Sequence, residues 1–458
     1  MNQALEVIIL AAGQGTRMKS ALPKVLHAVG GEPMLARVHR TARLLEPKQI
    51  HIVYGHGADK VREQLGHLDA AWALQDKQLG TGHAVAQAMP AVSDDSRVLI
   101  LYGDVPLIEM ETLDRLVDAA ANALAVLTIE LDNPSGYGRI VRDRDGRVQR
   151  IVEQKDASES ERAIREINTG LLAVDAARLR AWLERLDNHN AQGEYYLTDI
   201  IAMAVEDGVM INTVSAPDID QVSGINDRAQ LATLERALQR RQARQLMLAG
   251  ATLRDPERFD LRGELSVGRD VIIDVNVVCE GRVVLGDGVT IGANCVLKDV
   301  EIGAGTEIKP MSIIDSAVIG AGAHIGPFAR IRPETRIADG AHIGNFVEVK
   351  KSDIGAGSKV NHLSYIGDTT MGAKVNIGAG TITCNYDGAN KHRTVIGDGV
   401  FVGSDTQLVA PVTVADNATI GAGSTITKDA PAGELTLSRN KQITIPGWKR
   451  PVKKSSDK

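Results

Sequence analysis

The sequence predicts an α/β chain in two parts, an N-terminal domain with a mainly parallel sheet and a C-terminal parallel β-helix, joined by a helix. The first observation behind this is a six-residue repeat. From Val267 an apolar residue recurs every sixth place, through Ile273, Cys279, Leu285, Ile291 and Leu297. One-residue slips restart the register at Ile302, Ile319 and Ile354, and after a long interruption it runs from Ile396 to Ile426. No α-helix has this period, whereas a short strand and a turn every six residues, three to a coil, stack into a parallel β-helix. The second observation is in the first half. There the apolar runs Val7–Leu10, Ile50–Val53 and Val98–Leu101 alternate with amphipathic stretches such as Pro33–Leu45 and Met110–Ala123. That alternation is the mark of strands and helices in an α/β domain. The third is the polar segment Asp227–Ala249, which carries Leu231, Leu234, Leu238 and Leu246 on one stripe and reads as a rigid helical connector. The division expected is 1–228, a linker over 229–250, and 251–458.

Within the repeat the residue after the apolar position is often glycine, as at Gly286, Gly292, Gly326, Gly344 and Gly421. Four places on it is small or β-branched, as at Val289, Cys295, Ala323, Ala329, Thr335, Ala341 and Ser424. Aromatic residues at 3% and 45 glycines suit narrow coils with little room for rings. The periodicity fades from about Pro431. A formal net charge of −6 gives the surface as a whole no nucleic-acid footprint, and the basic stretch Trp448–Lys458 reads as a solvated tail. Cys279, Cys295 and Cys384 make no C-x-x-C pair, and two of them occupy core positions of the repeat, so buried free thiols in a reducing cytoplasm are expected. The start of the chain has no signal-peptide pattern, and no apolar run reaches the ~18 residues of a membrane span, so neither membrane insertion nor a leader is expected.

Chemistry in the first half gathers where strands end, the usual ligand crevice of open α/β sheets. After the first strand comes Leu10-Ala11-Ala12-Gly13-Gln14-Gly15-Thr16-Arg17, then Leu22-Pro23-Lys24. Gly13 and Gly15 would let backbone N–H groups approach an anion, and Arg17 and Lys24 can carry phosphate charge. A plain strand-to-helix turn explains the glycines alone equally well; the two cations at short fixed spacing favour phosphate. Leu101-Tyr102-Gly103-Asp104 ends another strand, where the carboxylate can hold Mg²⁺ or cap a helix.

The loop with its two cations resembles the signature of the sugar-phosphate nucleotidyltransferases, whose sheet is Rossmann-like. That resemblance implies a nucleotide triphosphate held by Leu10, Ala11, Ala12, Gly13, Arg17 and Lys24. It further implies that Gln75, Gly80 and Thr81 read a pyrimidine edge, and that Tyr102, Gly103 and Asp104 border the site. Gly136-Tyr-Gly138, Glu153-Gln-Lys and Asn168-Thr-Gly resemble the family's sugar-binding turns, and Asn226 matches its second Mg²⁺ ligand beside Asp104. Along nearly its whole length the chain resembles the bacterial bifunctional N-acetylglucosamine-1-phosphate uridyltransferase/glucosamine-1-phosphate N-acetyltransferase family. One departure, in length and composition, falls in the Arg142–Arg150 turn.

The β-helix carries a second set of candidates. Ile331 and Val349 are three hexads apart, so Arg332 and Lys350 should stack one coil apart, roughly 4.8 Å. Like charges so close call for an anion unless both are splayed into solvent. Tyr365 lies one coil further. His362 stands two places after Val360, where the repeat elsewhere holds Asp287, Asp339, Asn345 and Asp398. It therefore faces outward, and a neutral imidazole there could take a proton from an attacking amine. The segment Thr383–Arg393 interrupts the repeat, and long loops on a rigid scaffold often carry function. His324 and His342 are also one coil apart, but Lys359 follows in the column and opposes a bound dication, so a surface ladder is the better reading.

By resemblance, Arg332, Lys350, Tyr365, Asn376 and Lys391 bind glucosamine-1-phosphate, and His362 is the general base. Ala379, Asn385, Tyr386, Ser404, Ala422 and Arg439 bind acetyl-CoA. The resemblance further implies a left-handed coil, a cytoplasmic homotrimer, Mg²⁺ as cofactor, and UTP and acetyl-CoA as co-substrates. The reactions implied are acetylation of glucosamine-1-phosphate and then uridylyl transfer to N-acetylglucosamine-1-phosphate, feeding peptidoglycan and lipopolysaccharide synthesis. Two alternatives stay open: a uridyltransferase with a catalytically silent β-helix for trimerisation, or a scaffold with a decayed site. The His362 cluster and the Asn385/Tyr386 loop speak against the first; intact Arg17, Lys24, Asp104 and Asn226 speak against the second.

Overall fold

The computed structural model describes residues 3–55 and 58–453, which fall into two compact units, one ending at Gln242 and one beginning at Ala243. The first is built on strands β1 (Leu5–Ala11), β2 (Gln49–Tyr54), β3 (Ala71–Leu74), β4 (Arg97–Tyr102) and β5 (Leu124–Glu130). It continues with β6 (Gly138–Arg142), β7 (Val148–Val152), β8 (Glu166–Asp175) and β9 (Ile211–Ser215). The strand order is β9-β5-β8-β4-β1-β2-β3, with β6 and β7 added as a hairpin on β8.

Strand β1 runs parallel to β2 and β4, and both of its faces are covered. Val7 and Ile9 pack with Leu35 and Val38 of the helix Met34–Arg43, and Ile8 packs with Val85 and Ala88 of the helix Thr81–Ala88. Burial on both faces is why these strands read as unbroken apolar runs rather than as alternation. The sheet is mixed, because β8 lies antiparallel between β4 and β5. Since β1 is flanked by β2 on one side and β4 on the other, the strand order reverses there, and a crevice opens beyond the carboxyl ends of β1 and β4.

The expected connector is the helix Arg228–Leu248. Its leucine stripe serves two cores. Leu234 and Leu238 pack with Met18, Val29 and Met34 in the first unit, whereas Leu246 belongs to the core of the second. The break between units thus falls inside the helix, after Gln242.

The second unit coils through three faces. One is an eleven-stranded sheet, and the other two are the arms of a sixteen-stranded sheet. All pairing between its strands is parallel and steps one coil at a time. Ile291, Ile308, Ile325, Ile343, Val360, Ile377, Val402 and Ile420 form one continuous buried column. Each such side chain stabilises the coil by about 1.5–3 kcal/mol through burial. Val267, at the start of the repeat, is only partly buried. Cys279 and Cys295 are buried free thiols in this core, and burial pushes them up to about 12 and about 11.

Glycine after the column reflects how closely the coils approach. A Cβ on Gly344 would sit 1.9 Å from the Asn361 carbonyl oxygen. Gly344→Ala should therefore destabilise the unit by about 3 kcal/mol, read as a lowered melting temperature.

One sequence expectation needs adjusting. The repeat does not end near Pro431, since Leu435–Thr436 adds one more strand on Thr419–Ile420. Leu435 is exposed, so this strand is held by backbone pairing and leaves no apolar signature. The interrupting segment is compact. Tyr386 and Lys391 bridge across it, and Asp387 accepts from the Ala389 and Asn390 N–H groups and from His392.

Candidate active sites

In the first unit the crevice is a cavity of about 280 Å³. Leu10, Ala11, Ala12, Gly13, Lys24, Gln75, Gly80, Thr81, Tyr102 and Asp104 line it, as expected from the sequence. Gly13 does leave the open approach expected of it, for a Cβ there would meet nothing within 4 Å. Gly15 has a different reason: its φ is +63° and a Cβ would lie 2.6 Å from the Lys24 Cβ, so it seats Lys24 rather than an anion. Gly103 closes the floor, its N–H donating to the Leu10 carbonyl at 2.9 Å. Arg17 is exposed and does not line the cavity.

Lys24 Nζ donates to Asp104 Oδ2 and, at 3.0 Å, to Asn226 Oδ1. A segment from the far end of the domain is thus brought to the crevice, because the Ile225 N–H donates to the Asp104 carbonyl at 2.9 Å. Two hard oxygen donors therefore converge on one point, and a cationic ammonium bridges them. Few protein oxygens, with waters and phosphates completing the shell, is the donor set that Mg²⁺ takes.

The three expected sugar turns meet at one place. Gly138 pairs with Asn168 across the sheet, and a Cβ on Gly138 would lie 3.5 Å from Glu153 Oε1. The β8 register breaks after Asn168, and Gly170, in the bulge, lies under the Tyr102 ring. Burial pushes the Tyr102 phenol up, and the Glu153 and Asp104 carboxylates push the same way, so Tyr102 stands between cavity and sugar turns. Burial also raises Glu153, against a 3.1 Å hydrogen bond from Thr198.

Nearby Asp199 is pushed up to about 6, by burial first and then by Asp187, Glu153 and Asp156. Its folded value exceeds the unfolded 3.8, so its favourable contribution is complete below pH 3.8 and is lost as the pH rises through about 6. Asp199→Asn should therefore melt higher than the parent at pH 8 and level with it near pH 3.5, as scanning calorimetry can check.

In the second unit His362 is exposed at a corner of the coil, stacked in register on Asn345. Its Nδ1 lies 2.9 Å from Asn345 Oδ1. With that oxygen accepting, the ring proton is on Nδ1 and Nε2 is left as a free base. Below His362 the register continues through Ala379, Ser404 and Ala422. Backbone bonds tie the steps together: Gly380 N–H to the His362 carbonyl, Asp405 N–H to that of Ala379, and Gly423 N–H to that of Ser404. Arg439 Nη1 donates to the Ala422 carbonyl at 3.0 Å and closes the far end. The result is a strip of small side chains running about 14 Å from the histidine, at ~4.8 Å per coil.

Arg332 and Lys350 stack as expected, and each has a carboxylate of the chain beside it. Glu348 Oε1 lies 2.8 Å from Arg332 Nη1, and Asp368 Oδ2 lies 3.2 Å from Lys350 Nζ. Glu348 directly precedes Val349, and Asp368 lies three places after Tyr365. A third cation restores the excess. Lys391 contacts Lys350, and its bond to and repulsion by that ammonium hold it below the usual lysine range. Tyr365 folds over Gly367, where a Cβ would lie 2.3 Å from its hydroxyl oxygen, and that oxygen accepts from Asn385 at 3.4 Å. Asn385 is buried and also donates to Asp368, whereas Tyr386 is exposed. Asn376 is not brought to this cluster within the chain; it pairs with Lys359 and Phe401 on the eleven-stranded face. His324, His342 and Lys359 do form the expected ladder on that face. A wider hollow of about 520 Å³ between Arg282, Asp299, Glu301, Glu334 and Arg336 mixes exposed charges of both signs.

The MobA-like NTP transferase domain matches residues 7–247, and the bacterial transferase hexapeptide repeats match 316–351 and 393–428. A "Bifunctional protein GlmU" from Methylococcus capsulatus is 62% identical over 453 residues, covering 98% of each chain. The chain belongs to the bifunctional GlmU family. Proteins of the same name from Azoarcus sp. and Aromatoleum aromaticum are 61% and 60% identical, covering 98% and 99% of this chain and 100% of each relative. The two hexapeptide matches stop on either side of the segment 352–392, which contains His362 and all but the last residue of the interrupting segment Thr383–Arg393. The coil is consistent with the left hand that the sequence resemblance implies. No helix among the described residues is long and apolar enough to cross a membrane.

Several site residues of this GlmU-family chain escaped the sequence reading. Val25, Gln78, Ala84 and Glu194 also line the cavity, and Gln78 donates to the Ala12 carbonyl. Gln78 was findable inside the 75–81 loop. Glu194 was not, since only the tertiary pairing of Tyr195 with Leu79 and Gly82 brings it there. Asn345 was noted as a repeat position, without its role as the partner of His362.

Proposed function

We propose that the chain makes UDP-N-acetylglucosamine in two reactions, one in each unit. In the second unit the amine of glucosamine-1-phosphate attacks the thioester carbon of acetyl-CoA. A C–N bond forms, the C–S bond breaks, CoA leaves, and His362 Nε2 takes the amine proton. The observation that carries this reading is the His362 ring, turned by Asn345 so that its basic nitrogen is free at the head of the small-residue strip. Arg332, Lys350 and Lys391 hold the sugar phosphate, since Glu348 and Asp368 offset only two of the three cations. Tyr365 and Asn385 flank it, and Tyr386, Ala379, Ser404, Ala422 and Arg439 take acetyl-CoA.

Asn376, on the other face, is accounted for if sites are shared between copies of the chain in a homotrimer. Light scattering should then give three times the 49.0 kDa chain mass, and a monomeric mass in a fully active preparation would remove the trimer.

In the first unit an oxygen of the N-acetylglucosamine-1-phosphate phosphate attacks the α-phosphorus of UTP in line and expels pyrophosphate. Lys24 and Arg17 carry phosphate charge, Gln75 and Thr81 meet the uracil edge, and Gly138, Glu153 and Asn168 hold the sugar. Asp104 and Asn226 would hold Mg²⁺, which when bound offsets the phosphate charge that repels the nucleophile. The test supplies glucosamine-1-phosphate, acetyl-CoA, UTP and Mg²⁺ and looks for UDP-N-acetylglucosamine with pyrophosphate. Product from N-acetylglucosamine-1-phosphate alone, and none from glucosamine-1-phosphate, would leave the β-helix as a silent module.

A further inference from the structure

We infer that His83 sets which base the first unit accepts, by fixing the carboxamide of Gln75 as a hydrogen-bond acceptor. The inference rests on the uridylyl-transfer reading above and adds to it the origin of base choice. Gln75 directly follows β3, is 4% exposed and lines the cavity together with Gly80 and Thr81. A carboxamide offers two N–H donors and one acceptor oxygen, and its neighbours decide which end faces a ligand.

Here Gln75 Nε2 donates to the Gly80 carbonyl at 3.2 Å and lies 3.0 Å from His83 Nδ1. The carbonyl can only accept, so the amide nitrogen must face it. His83 Nδ1 then accepts the second N–H, and the ring proton sits on Nε2. Both donors are spent inside the protein, and Oε1 is the end presented to the cavity. Gln87, one turn later on the helix Thr81–Ala88, donates from its amide nitrogen to the His83 carbonyl at 3.2 Å. On the same cavity, the Thr81 N–H at the first helical position has no intrahelical partner and is a ready donor.

Uracil carries an N3–H donor between two carbonyl acceptors, whereas cytosine has an unprotonated N3 in the same place. A fixed acceptor bonds the first and repels the lone pair of the second. With only the 3.2 Å contact to the Gly80 carbonyl left to orient it, the carboxamide turns more easily and serves either base. His83 is thus a positioning residue for specificity, acting through Gln75.

The experiment measures kcat and KM for UTP and for CTP, with N-acetylglucosamine-1-phosphate and Mg²⁺, on the full chain and on His83→Leu and His83→Gln. The parent should strongly prefer UTP. The leucine variant should raise the UTP KM about ten-fold with little change in kcat, and narrow the UTP:CTP ratio of kcat/KM at least ten-fold. The glutamine variant, which can again offer an acceptor, should recover most of that ratio. A leucine variant that keeps the parent ratio, whatever its absolute rate, overturns the inference, because a merely structural role would slow both nucleotides alike. Should the leucine variant not fold, His83→Asn makes the same comparison, since its short side chain cannot reach Gln75. A parent chain with no UTP turnover would instead remove the uridylyl-transfer reading itself.

Discussion

Replacing His362 with alanine lowers acetyl transfer by about 10²- to 10⁴-fold and leaves uridylyl transfer unchanged. The size follows from what is lost. An amine attacking a thioester must shed a proton, and His362 Nε2 is the free base that the Asn345 contact leaves available. Asn345→Ala keeps the ring but frees it to turn, so a smaller loss of about ten-fold is expected. Steady-state assays of both half-reactions on each variant check this. A His362→Ala chain with parental acetyl transfer would remove the histidine from the mechanism.

The mirror-image result is expected at Asp104. Asp104→Ala should reduce uridylyl transfer by about 10²-fold or more while acetyl transfer persists. The carboxylate has two duties. It is one of two hard oxygens suited to Mg²⁺, and it partners the Lys24 ammonium, which also bonds Asn226 at 3.0 Å. Its loss leaves both the lysine and the metal site short of a ligand. Chelation with EDTA should likewise stop uridylyl transfer alone, and excess Mg²⁺ should restore it in the parent but not fully in the variant. Equal loss of both activities in the alanine variant would point to unfolding instead.

How far the sequence reaches can be seen residue by residue. The hexad column from Ile273 to Ile426 is buried throughout because a period of six admits only one inward position per face. The same period placed His362 outward and His324 over His342. Motifs at strand ends were legible because a parallel sheet delivers Leu10–Gly13 and Tyr102–Asp104 to one crevice. Pairings set by tertiary structure were less legible. Nothing local says that β8 runs antiparallel, or that Glu348 and Asp368 neutralise Arg332 and Lys350. The space that Gly367 leaves for Tyr365 is visible only once two coils are stacked. Asn376 matched a motif by order in the chain, yet order does not reveal which face a residue occupies. The strand Leu435–Thr436 had no apolar signal because backbone bonds alone hold it.

The central claim is that the β-helix is itself an enzyme, and thiol release from acetyl-CoA tests it most directly. The assay follows free CoA with and without glucosamine-1-phosphate, with a protein blank for Cys279, Cys295 and Cys384, of which the first two are buried. The account predicts release that depends on the sugar phosphate and vanishes in His362→Ala. No sugar-dependent release from folded parent protein would contradict it and leave a uridyltransferase carrying an inert coil.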